Sequence, residues 1–322
     1  MSLSEFSLIE DYFSKLTPSR QDVSLAIGDD CALLQCPPGK ELAVSIDTLV
    51  EGVHFFADVD PRALGYKSLA VNLSDLAAMG AEPAWFTLAL TLPEHNSDWL
   101  RAFTEGLALA AESANIQLVG GDTTRGPLTI SIQVHGLVSS GRAMRRDGAN
   151  IGDRIYVSGT LGDAGAALKQ RLENWLPEML EQSDWQYLQQ RLEYPTLRYQ
   201  LGQQILDYAS SAIDISDGLL ADLGHILERS HKGAVINAAQ LPFSASLKKL
   251  PPKISLPLAL GSGDDYELCF TVPASNVEAL EKLGLDIHCI GEITAGSDLV
   301  LEDESGKVMN IDARKGYDHF GS

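Results

Sequence analysis

The pattern of apolar and polar positions divides the first half of the chain into alternating strands and helices. Residues 128–138 alternate strictly between apolar and polar side chains, which predicts the clearest strand of the protein. Residues 41–47 and 85–92 predict two further strands, and the first of these is expected to end at Asp47. Residues 98–114 are rich in alanine and leucine and predict a helix. Strands that alternate with helices are typical of an α/β domain.

The helix that precedes Pro83 carries the first candidate functional residue. Its apolar positions, Leu73 and Leu76 among them, recur at helical spacing, and Gly80 suits the position just after the last turn. Asp75 lies between the two leucines, and no Lys or Arg stands three or four residues away to pair with it. A carboxylate beside a buried stripe either turns toward water or binds a cation. The residues of this helix alone leave both alternatives open.

The second half of the chain shows the same alternation, and it begins after a polar stretch that contains glycine. The strands predicted there include residues 154–158, 212–215 and 287–290. Residues 173–194 are polar and predict an exposed helical hairpin. The polar stretch favours a domain boundary near Asn150, between an N-terminal domain of residues 1–149 and a C-terminal domain of residues 150–322. The fold class is therefore α/β (α+β) in two domains.

Composition and charge narrow the classes of partner. The 322 residues are 45% hydrophobic, which is normal for a globular protein with a buried core. Acidic residues number 44 and basic residues 24, so the net charge is −20. This excess of negative charge argues against nucleic acid or an anionic membrane as the main partner. It does not argue against a phosphorylated ligand, because bound divalent cations reverse the local sign of the charge.

The cysteines and the N-terminus bear on the location of the protein. The cysteines show neither a CxxC pair nor a zinc-binding spacing, and they are Cys31, Cys36, Cys269 and Cys289. They are expected to be reduced thiols. The N-terminus lacks the basic and apolar regions of a signal peptide, and no apolar run approaches the roughly 18 residues of a membrane span. We therefore expect a cytoplasmic protein without a membrane partner.

Several carboxylates recur at strand ends and helix starts, usually beside glycine. They are Asp29, Asp30, Asp47, Asp122, Asp214, Asp217, Asp264 and Asp265. Such places hold ligands in α/β proteins, glycine lets backbone N–H groups approach a phosphate, and carboxylate oxygens suit Mg²⁺. The set as a whole predicts several Mg²⁺ ions with a polyphosphate. Aspartate is also common in turns and caps, and Asp217 is well explained as the cap of the following helix.

The segment around Asp122 combines glycines, an acid, two hydroxyl side chains and an arginine within ten residues. Residues 117–119 predict a short strand that runs into a tight turn at Gly120 and Gly121. The sequence contains no phosphate-binding loop of the pattern G-x-x-x-x-G-K-[ST] and no kinase Gly-rich loop or nucleophile elbow. If ATP is bound, metals and aspartates would do the work that a loop lysine does elsewhere.

Three basic or titratable residues in loops have two interpretations each. Arg145 and Arg146 either bind phosphate or lie in a solvated loop, and the solvated loop is preferred for Arg145. His54 follows a strand and a glycine. It either touches a substrate or packs against its neighbours, and the sequence does not decide between the two.

Seven motifs spread along the chain belong together. They are A-I-G-D-D-C-A-L-L, S-I-D-T-L-V-E-G-V-H-F, N-L-S-D-L-A-A-M-G-A-E-P, G-G-D-T-T-R-G-P, D-I-S-D-G-L, G-D-D-Y-E-L-C-F-T and K-G-Y-D-H-F. In this order they closely resemble the motifs of bacterial thiamine-monophosphate kinases. The similarity covers nearly the whole chain and is weakest at residues 173–194. The wider superfamily, which includes aminoimidazole ribonucleotide synthetase and selenophosphate synthetase, shares the acidic motifs but not the whole set.

The resemblance implies a fold, a reaction and a set of site residues. The fold is the two-domain aminoimidazole ribonucleotide synthetase-like fold in a homodimer, whose N-terminal sheet pairs across the dimer. The reaction is ATP-dependent phosphorylation of thiamine monophosphate to thiamine diphosphate, assisted by several Mg²⁺ ions. The implied catalytic residues are Asp47, Asp75 and Asp122. The implied Mg²⁺ ligands are Asp30, Ser45, Ile46, Asp47, Asp75, Asp122, Asp214 and Asp217. ATP would be bound by Gly121, Asp122, Arg146 and Ser216, and thiamine monophosphate by His54, Asp264 and Tyr317.

Two departures from the family pattern limit what the resemblance implies. Ile46 stands where the family pattern has Thr, so only its backbone carbonyl would serve a metal. Asp264 stands where the pattern has Glu, and this shorter acid would need a water to reach its ligand. Two alternative functions stay open at this point. One is another ATP-dependent synthetase of the same superfamily, and the other is a non-catalytic dimer that binds nucleotide and Mg²⁺.

Overall fold

The computed structural model describes residue 9 and residues 11–309, and the chain separates into two compact units. The first unit comprises the described residues up to Leu76 together with Ala81–Ala143. The second comprises Ala77–Gly80 and the described residues from Met144 onward. Separate roles for residues 1–149 and 150–322 stay a prediction. Among the described helices, none combines the length and the apolar composition needed to cross a membrane.

The first unit is built on a four-stranded sheet with the strand order β3-β6-β4-β5. β4 and β5 run parallel, and the other neighbours run antiparallel. Strands β1 and β2 form a separate antiparallel hairpin. The elements are β1 Val23–Leu25, β2 Leu33–Leu34, β3 Lys40–Val50, α1 Pro61–Ala78, β4 Glu82–Leu92, α2 Ser97–Ala114, β5 Gln117–Arg125 and β6 Thr129–Ser139. The strand predicted at residues 128–138 and the helices predicted on either side of β4 are confirmed.

Two sequence predictions in this sheet are wrong. β3 continues to Val50, so Asp47 lies within the strand and not at its end. Gly120 and Gly121 lie within β5, where a tight turn was predicted. β4 supplies pairing partners for β5 on both sides of these glycines, and a register shift at Phe86 accommodates the irregularity. Pairing with a neighbouring strand therefore overrides the local turn preference of glycine.

Helices α1 and α2 approach each other closely at two glycines. A Cβ atom added to Gly65 would clash with the carbonyl oxygen of Phe103, and one added to Gly106 would clash with the carbonyl oxygen of Arg62. The apolar stripe of α1 is fully buried, as at Leu73, which has 0% exposure. The two glycines therefore let the backbones of the helices touch directly, which fixes how α1 lies in its unit.

The sheet of the first unit has one buried face and one partly open face. On the buried face, Ile132 is 1% exposed. On the opposite face, the hairpin β1–β2 packs Val23 and Leu34 against a cluster that contains Trp85 and Leu137. The hairpin leaves the outward side chains of β3 exposed, and these are Leu42 at 46%, Val44 at 51% and Ile46 at 59%. A row of exposed apolar side chains on a strand is typical of a protein–protein interface.

The second unit is built on a six-stranded sheet with the strand order β12-β9-β11-β7-β10-β8. All neighbours are antiparallel except β9 and β12. The strands are β7 Arg154–Ser158, β8 Ser211–Ile215, β9 Gly233–Asn237, β10 Glu267–Val272, β11 Ile287–Thr294 and β12 Leu299–Glu302. The helices are α3 Asp163–Glu173, α4 Gln182–Glu193, α5 Tyr199–Ile205, α6 Leu219–Ser230, α7 Pro252–Gly261 and α8 Ala274–Glu281. The two units together confirm the mixed α/β (α+β) class.

Both faces of this second sheet are buried, and one sequence prediction fails here. Successive residues of β7 join different clusters, since Ile155 packs on one face and Tyr156 on the other. Residues 173–194 were predicted to form an exposed hairpin, but Leu188 of α4 is 0% exposed and packs in one cluster with Leu247 and Leu250. Although this segment is mostly polar, it contains a narrow apolar stripe, which is enough to pack a short helix against its neighbours.

Candidate functional site

The first candidate site lies where α1 passes over β3. Alternation along the strand places Ser45 and Asp47 on one face of the sheet, and one helical turn separates Asn72 from Asp75. The Ser45 hydroxyl donates a 2.5 Å hydrogen bond to Oδ2 of Asp75, and the backbone N–H of Asp47 donates a 3.1 Å hydrogen bond to Oδ1 of Asn72. The structure therefore brings three predicted site residues together, and Asn72 is a fourth that the sequence did not reveal.

The donor atoms at this place suit a hard cation. Ser45, Asp47 and Asp75 offer only oxygen atoms, and Mg²⁺ is usually held by one or two carboxylates with waters and substrate phosphates. Within residue 9 and residues 11–309, no group of three or more His, Cys, Asp or Glu side chains is assembled for a metal. The two carboxylates fit one end of a Mg²⁺ site whose other ligands are water or phosphate.

Asp122 lies on a different face of the same sheet. It pairs with Ala89, which pairs with Ser131 and through it with Thr48. This row is adjacent to the row of Asp47, and successive rows point to opposite faces. Three strand spacings of about 4.8 Å also separate β5 from β3. Within the unit, Asp122 therefore lies apart from the site at Asp75. Gly121, which precedes it on β5 and was assigned to ATP, is separated from that site by the same three strand spacings.

Two further predicted site residues of the first unit lie in loops. Asp30 is exposed in the turn between β1 and β2, and its backbone N–H donates to Oδ1 of Asp29. His54 follows β3, and its Nδ1 accepts a 3.1 Å hydrogen bond from the backbone N–H of Val50. A neutral imidazole that accepts at Nδ1 carries its proton on Nε2. The ring of His54 is therefore held against the end of β3 by this hydrogen bond.

The second unit contains a backbone N–H cluster between β8 and α6. The N–H groups of Ser216, Asp217 and Gly218 donate to the single Oδ2 of Asp222, at 3.0, 3.0 and 3.1 Å. Asp222 is 3% exposed. Burial raises the pKa of its carboxyl to about 7, against the lowering effect of these hydrogen bonds. Asp222 therefore organises the loop that carries Ser216 and Asp217.

The prediction that Asp217 caps α6 is wrong. Gly218 occupies the cap position, and it has no side chain to accept a hydrogen bond from the first turn of the helix. The carboxylate that satisfies the loop amides comes from Asp222, in the first turn of the helix. A signal for this role was present in the sequence, because an acid in the first turn of a helix faces the N–H groups that precede the helix.

The remaining predicted residues of the second unit have different surroundings. Asp214 is 5% exposed within β8, and Asp264 has φ of 64° in the loop before β10. Arg146 is exposed, and its backbone carbonyl accepts from the hydroxyl of Ser230. Arg145 forms hydrogen bonds with Asp147, which agrees with its interpretation as a solvated loop residue. Tyr317 lies outside the described residues.

Comparison with known protein families accounts for both units of the chain. Residues 28–138 match the model of the AIR synthase related protein, N-terminal domain. Residues 150–304 match the model of the AIR synthase related protein, C-terminal domain. The two matched segments follow the order in which the acidic motifs occur.

Relatives of known name extend the comparison to the whole chain. The thiamine-monophosphate kinase of Escherichia coli (strain K12) is 50% identical over 327 residues, which cover 100% of both chains. The solved structure of a thiamine-monophosphate kinase from Stenotrophomonas maltophilia K279a is 46% identical, with a TM-score of 0.86 over 96% of this chain and 99% of that one. A structure described as AaThiL complexed with AMPPCP and TMP is 34% identical, with a TM-score of 0.77 over 99% of each chain. The chain, which matches both AIR synthase related domain models, therefore belongs to the thiamine-monophosphate kinase family.

Proposed function

We propose that the protein transfers the γ-phosphoryl group of ATP to the phosphate of thiamine monophosphate, which yields thiamine diphosphate and ADP. The observation that carries this proposal is the 50% identity to a thiamine-monophosphate kinase over the full length of both chains. A relative that covers 99% of this chain has been solved with AMPPCP and TMP. These are a nucleotide analogue and a monophosphate, which correspond to the donor and the acceptor of the proposed reaction.

The acceptor determines which chemistry the protein must supply. The attacking oxygen belongs to a phosphate that is already anionic, so no strong general base is needed. Catalysis then consists of aligning two phosphate groups in line and compensating the charge between them. Bound Mg²⁺ would supply that positive charge. Asp47 and Asp75 would hold the ion, with Ser45 fixing one carboxylate, and Asp30, Asp214 and Asp217 are proposed as ligands of further ions.

The two substrates are assigned to separate groups of residues. Gly121, Asp122, Arg146 and Ser216 are proposed to bind ATP. His54 and Asp264 are proposed to bind thiamine monophosphate, together with Tyr317. The hydrogen bond from Val50 N–H to Nδ1 supports the role of His54, because it fixes the position of the ring beside the end of β3. The carboxylate of Asp222 holds the loop of Ser216 in a fixed conformation, which supports a binding role for that loop.

A homodimer is part of the proposal. It is supported by the outward face of β3, where Leu42, Val44 and Ile46 are 46–59% exposed. Pairing this face with a second copy would remove an apolar row from water. A cytoplasmic location is also proposed, and it is supported by four free cysteines at Cys31, Cys36, Cys269 and Cys289.

A coupled assay of ADP release tests the function directly. We expect ADP release with ATP, Mg²⁺ and thiamine monophosphate, and none above background when thiamine replaces the monophosphate. The control matters because thiamine keeps the ring system and lacks only the accepting phosphate. A formylglycinamidine-type substrate in the same assay tests the synthetase alternative. ADP release that does not depend on thiamine monophosphate would refute the proposal.

A further inference from the structure

A buried carboxylate in the second unit is held by two arginines. Glu267, at the start of β10, is 0% exposed. Arg198 donates to both of its oxygens, at 2.6 and 2.9 Å, and Arg191 donates to Oε1 at 2.8 Å. The Ser158 hydroxyl donates to Oε2. Burying a charge this deeply costs free energy, and only partners such as these offset that cost.

Arg191 also faces a second loop. Its Nε lies 3.8 Å from Oδ2 of Asp163, which is 0% exposed. Asp163 accepts hydrogen bonds from the hydroxyls of Ser244 and Thr160. Burial alone would lower the pKa of Arg191, but the nearby carboxylates, with Glu267 first, raise it. The Arg191 guanidinium therefore lies between the loop of residues 159–163, which ends at Asp163, and the loop of residues 263–267, which ends at Glu267.

The two loops are also joined by a backbone contact. Both carboxylate oxygens of Asp265 accept from the N–H of Gly162, at 3.1 and 2.8 Å. Asp265 is 2% exposed. Residues 159–163 and residues 263–267 are therefore held together by three buried acids and a guanidinium. The acids at Asp265 and Glu267 alternate with Asp264 and Tyr266, which are only partly buried.

The backbone of the second loop is strained at both partly buried positions. Asp264 has φ of 64° and Tyr266 has φ of 50°, in a region that side chains other than glycine seldom adopt. Their N–H groups donate to the carbonyls of Ser216 and Ile215, at 2.8 and 2.9 Å. Such strain persists when surrounding contacts determine the conformation, and it concentrates at ligand-binding positions.

We propose that Arg191 is a positioning residue for the substrate site, because it holds the loop of residues 159–163 against the loop of residues 263–267, which presents Asp264. The inference rests on the proposed function, which assigns Asp264 to thiamine monophosphate. It gives a role to residues 173–194, the segment in which the family resemblance is weakest. Arg191 acts through the buried acids and does not touch the substrate.

The test uses Arg191→Lys, which keeps the charge but loses the planar fork that reaches two carboxylates. We expect KM for thiamine monophosphate to rise about tenfold, with KM for ATP within about twofold of the wild type. Arg154→Lys is the matched control, because Arg154 forms a half-exposed ion pair with Glu292 in the same unit. A thiamine monophosphate KM that stays unchanged, or one that rises together with KM for ATP, would overturn the inference.

A second measurement does not depend on turnover. Hydrogen exchange at the N–H groups of Asp264 and Tyr266 should be at least about tenfold faster in Arg191→Lys than in the Arg154→Lys control. Equal exchange in the two variants refutes the positioning role even if the wild type does not phosphorylate thiamine monophosphate. If Arg191→Lys fails to fold, Asp163→Asn replaces it, because it weakens the ion pair with Arg191 and keeps an acceptor for the hydroxyls of Ser244 and Thr160. The same two readouts then apply.

Discussion

At the residue scale, the hydrogen bond from Ser45 to Asp75 defines how the carboxylate is presented. One oxygen of Asp75 accepts the hydroxyl at 2.5 Å, which sets the orientation of the carboxylate plane. An ionised carboxylate oxygen that accepts such a bond keeps lone pairs for a cation. Asn72 fixes the neighbouring backbone of β3 in a similar way. The role of Asp75 is therefore better tested by changing its charge than by removing its side chain.

Asp75→Asn should abolish most turnover and leave the fold intact. The amide has nearly the same shape, but it loses the negative charge that holds a divalent cation, so we expect kcat to fall at least about a hundredfold. The coupled ADP assay measures the loss, and thermal unfolding checks the fold. Glu105→Gln makes the same chemical change at an exposed position of α2 and should keep full activity. A variant with near-normal kcat would remove Asp75 from the catalytic set.

Asp265→Asn should change the pH dependence of stability. Burial raises the pKa of Asp265 well above 3.8, so the folded state takes up a proton more readily than the unfolded state. The contribution of this group to the free energy of unfolding therefore falls as pH rises from about 3.8 toward the raised pKa, and the loss is complete above it. The amide cannot ionise, so this loss should be absent from the variant. Urea unfolding between pH 5 and pH 8 measures it.

The control for this pH series is Asp98→Asn, because the Asp98 side chain is 94% exposed. Its unfolding free energy should follow the wild-type dependence on pH. Parallel curves for the wild type and Asp265→Asn would mean that Asp265 keeps an ordinary pKa in the folded protein.

At the element scale, the crossing of α1 and α2 determines where Asp75 lies. The clashes expected at Gly65 and Gly106 are with backbone carbonyls, which move only when a whole helix moves. The free energy of packing is therefore concentrated at this crossing. Substitution of either glycine should separate the helices and displace the end of α1 relative to β3.

Gly106→Ala should lower the free energy of unfolding by about 3 kcal/mol, because the added methyl overlaps the carbonyl of Arg62. Gly224→Ala is the control, since Gly224 lies inside α6 with no atom within 4 Å of an added Cβ. The control should gain about 0.5–1 kcal/mol from the better helix propensity of alanine. Thermal unfolding compares the two, and equal shifts in the same direction would contradict a close crossing.

Local patterns predict some elements well and fail where distant partners decide. β6 follows from periodicity, because alternate positions along most of the strand are buried. α1 follows from the helical spacing of its leucines, although the helix is buried on nearly all sides. β5 does not, since its glycines are held in a strand by β4. The buried ion pair of Arg191 and Glu267 joins residues 76 positions apart, and no local pattern reveals it. Residue type made Asp47 and Asp75 candidate ligands, which stays a prediction, and their contacts with Asn72 and Ser45 could not be predicted from the sequence.

At the scale of the whole molecule, the exposed row on β3 bears on assembly. An apolar surface of this kind seldom stays open to water in an isolated chain. A second copy of the chain presents the same row, so a two-fold axis across β3 would bury both rows against each other. The proposed assembly is therefore isologous.

Val44→Asp should convert the proposed dimer into a monomer. A buried pair of like charges across the two-fold axis is costly. Light scattering should give the mass of one 34.7 kDa chain for the variant and twice that mass for the wild type. Leu172→Asp is the control, because Leu172 is 65% exposed on the second unit. A wild type that runs as a monomer would contradict the proposal.

The glycine crossing has a thermodynamic consequence for ligand binding. The backbones of α1 and α2 are in direct contact, and the Asp75 carboxylate is held by Ser45. Asp75 is therefore positioned before any cation binds. Binding then needs no helix to fold or slide, so little conformational entropy is lost at that step. The ordering that the chemistry requires is completed when the polypeptide folds, and the incoming phosphates meet charges that are already in place.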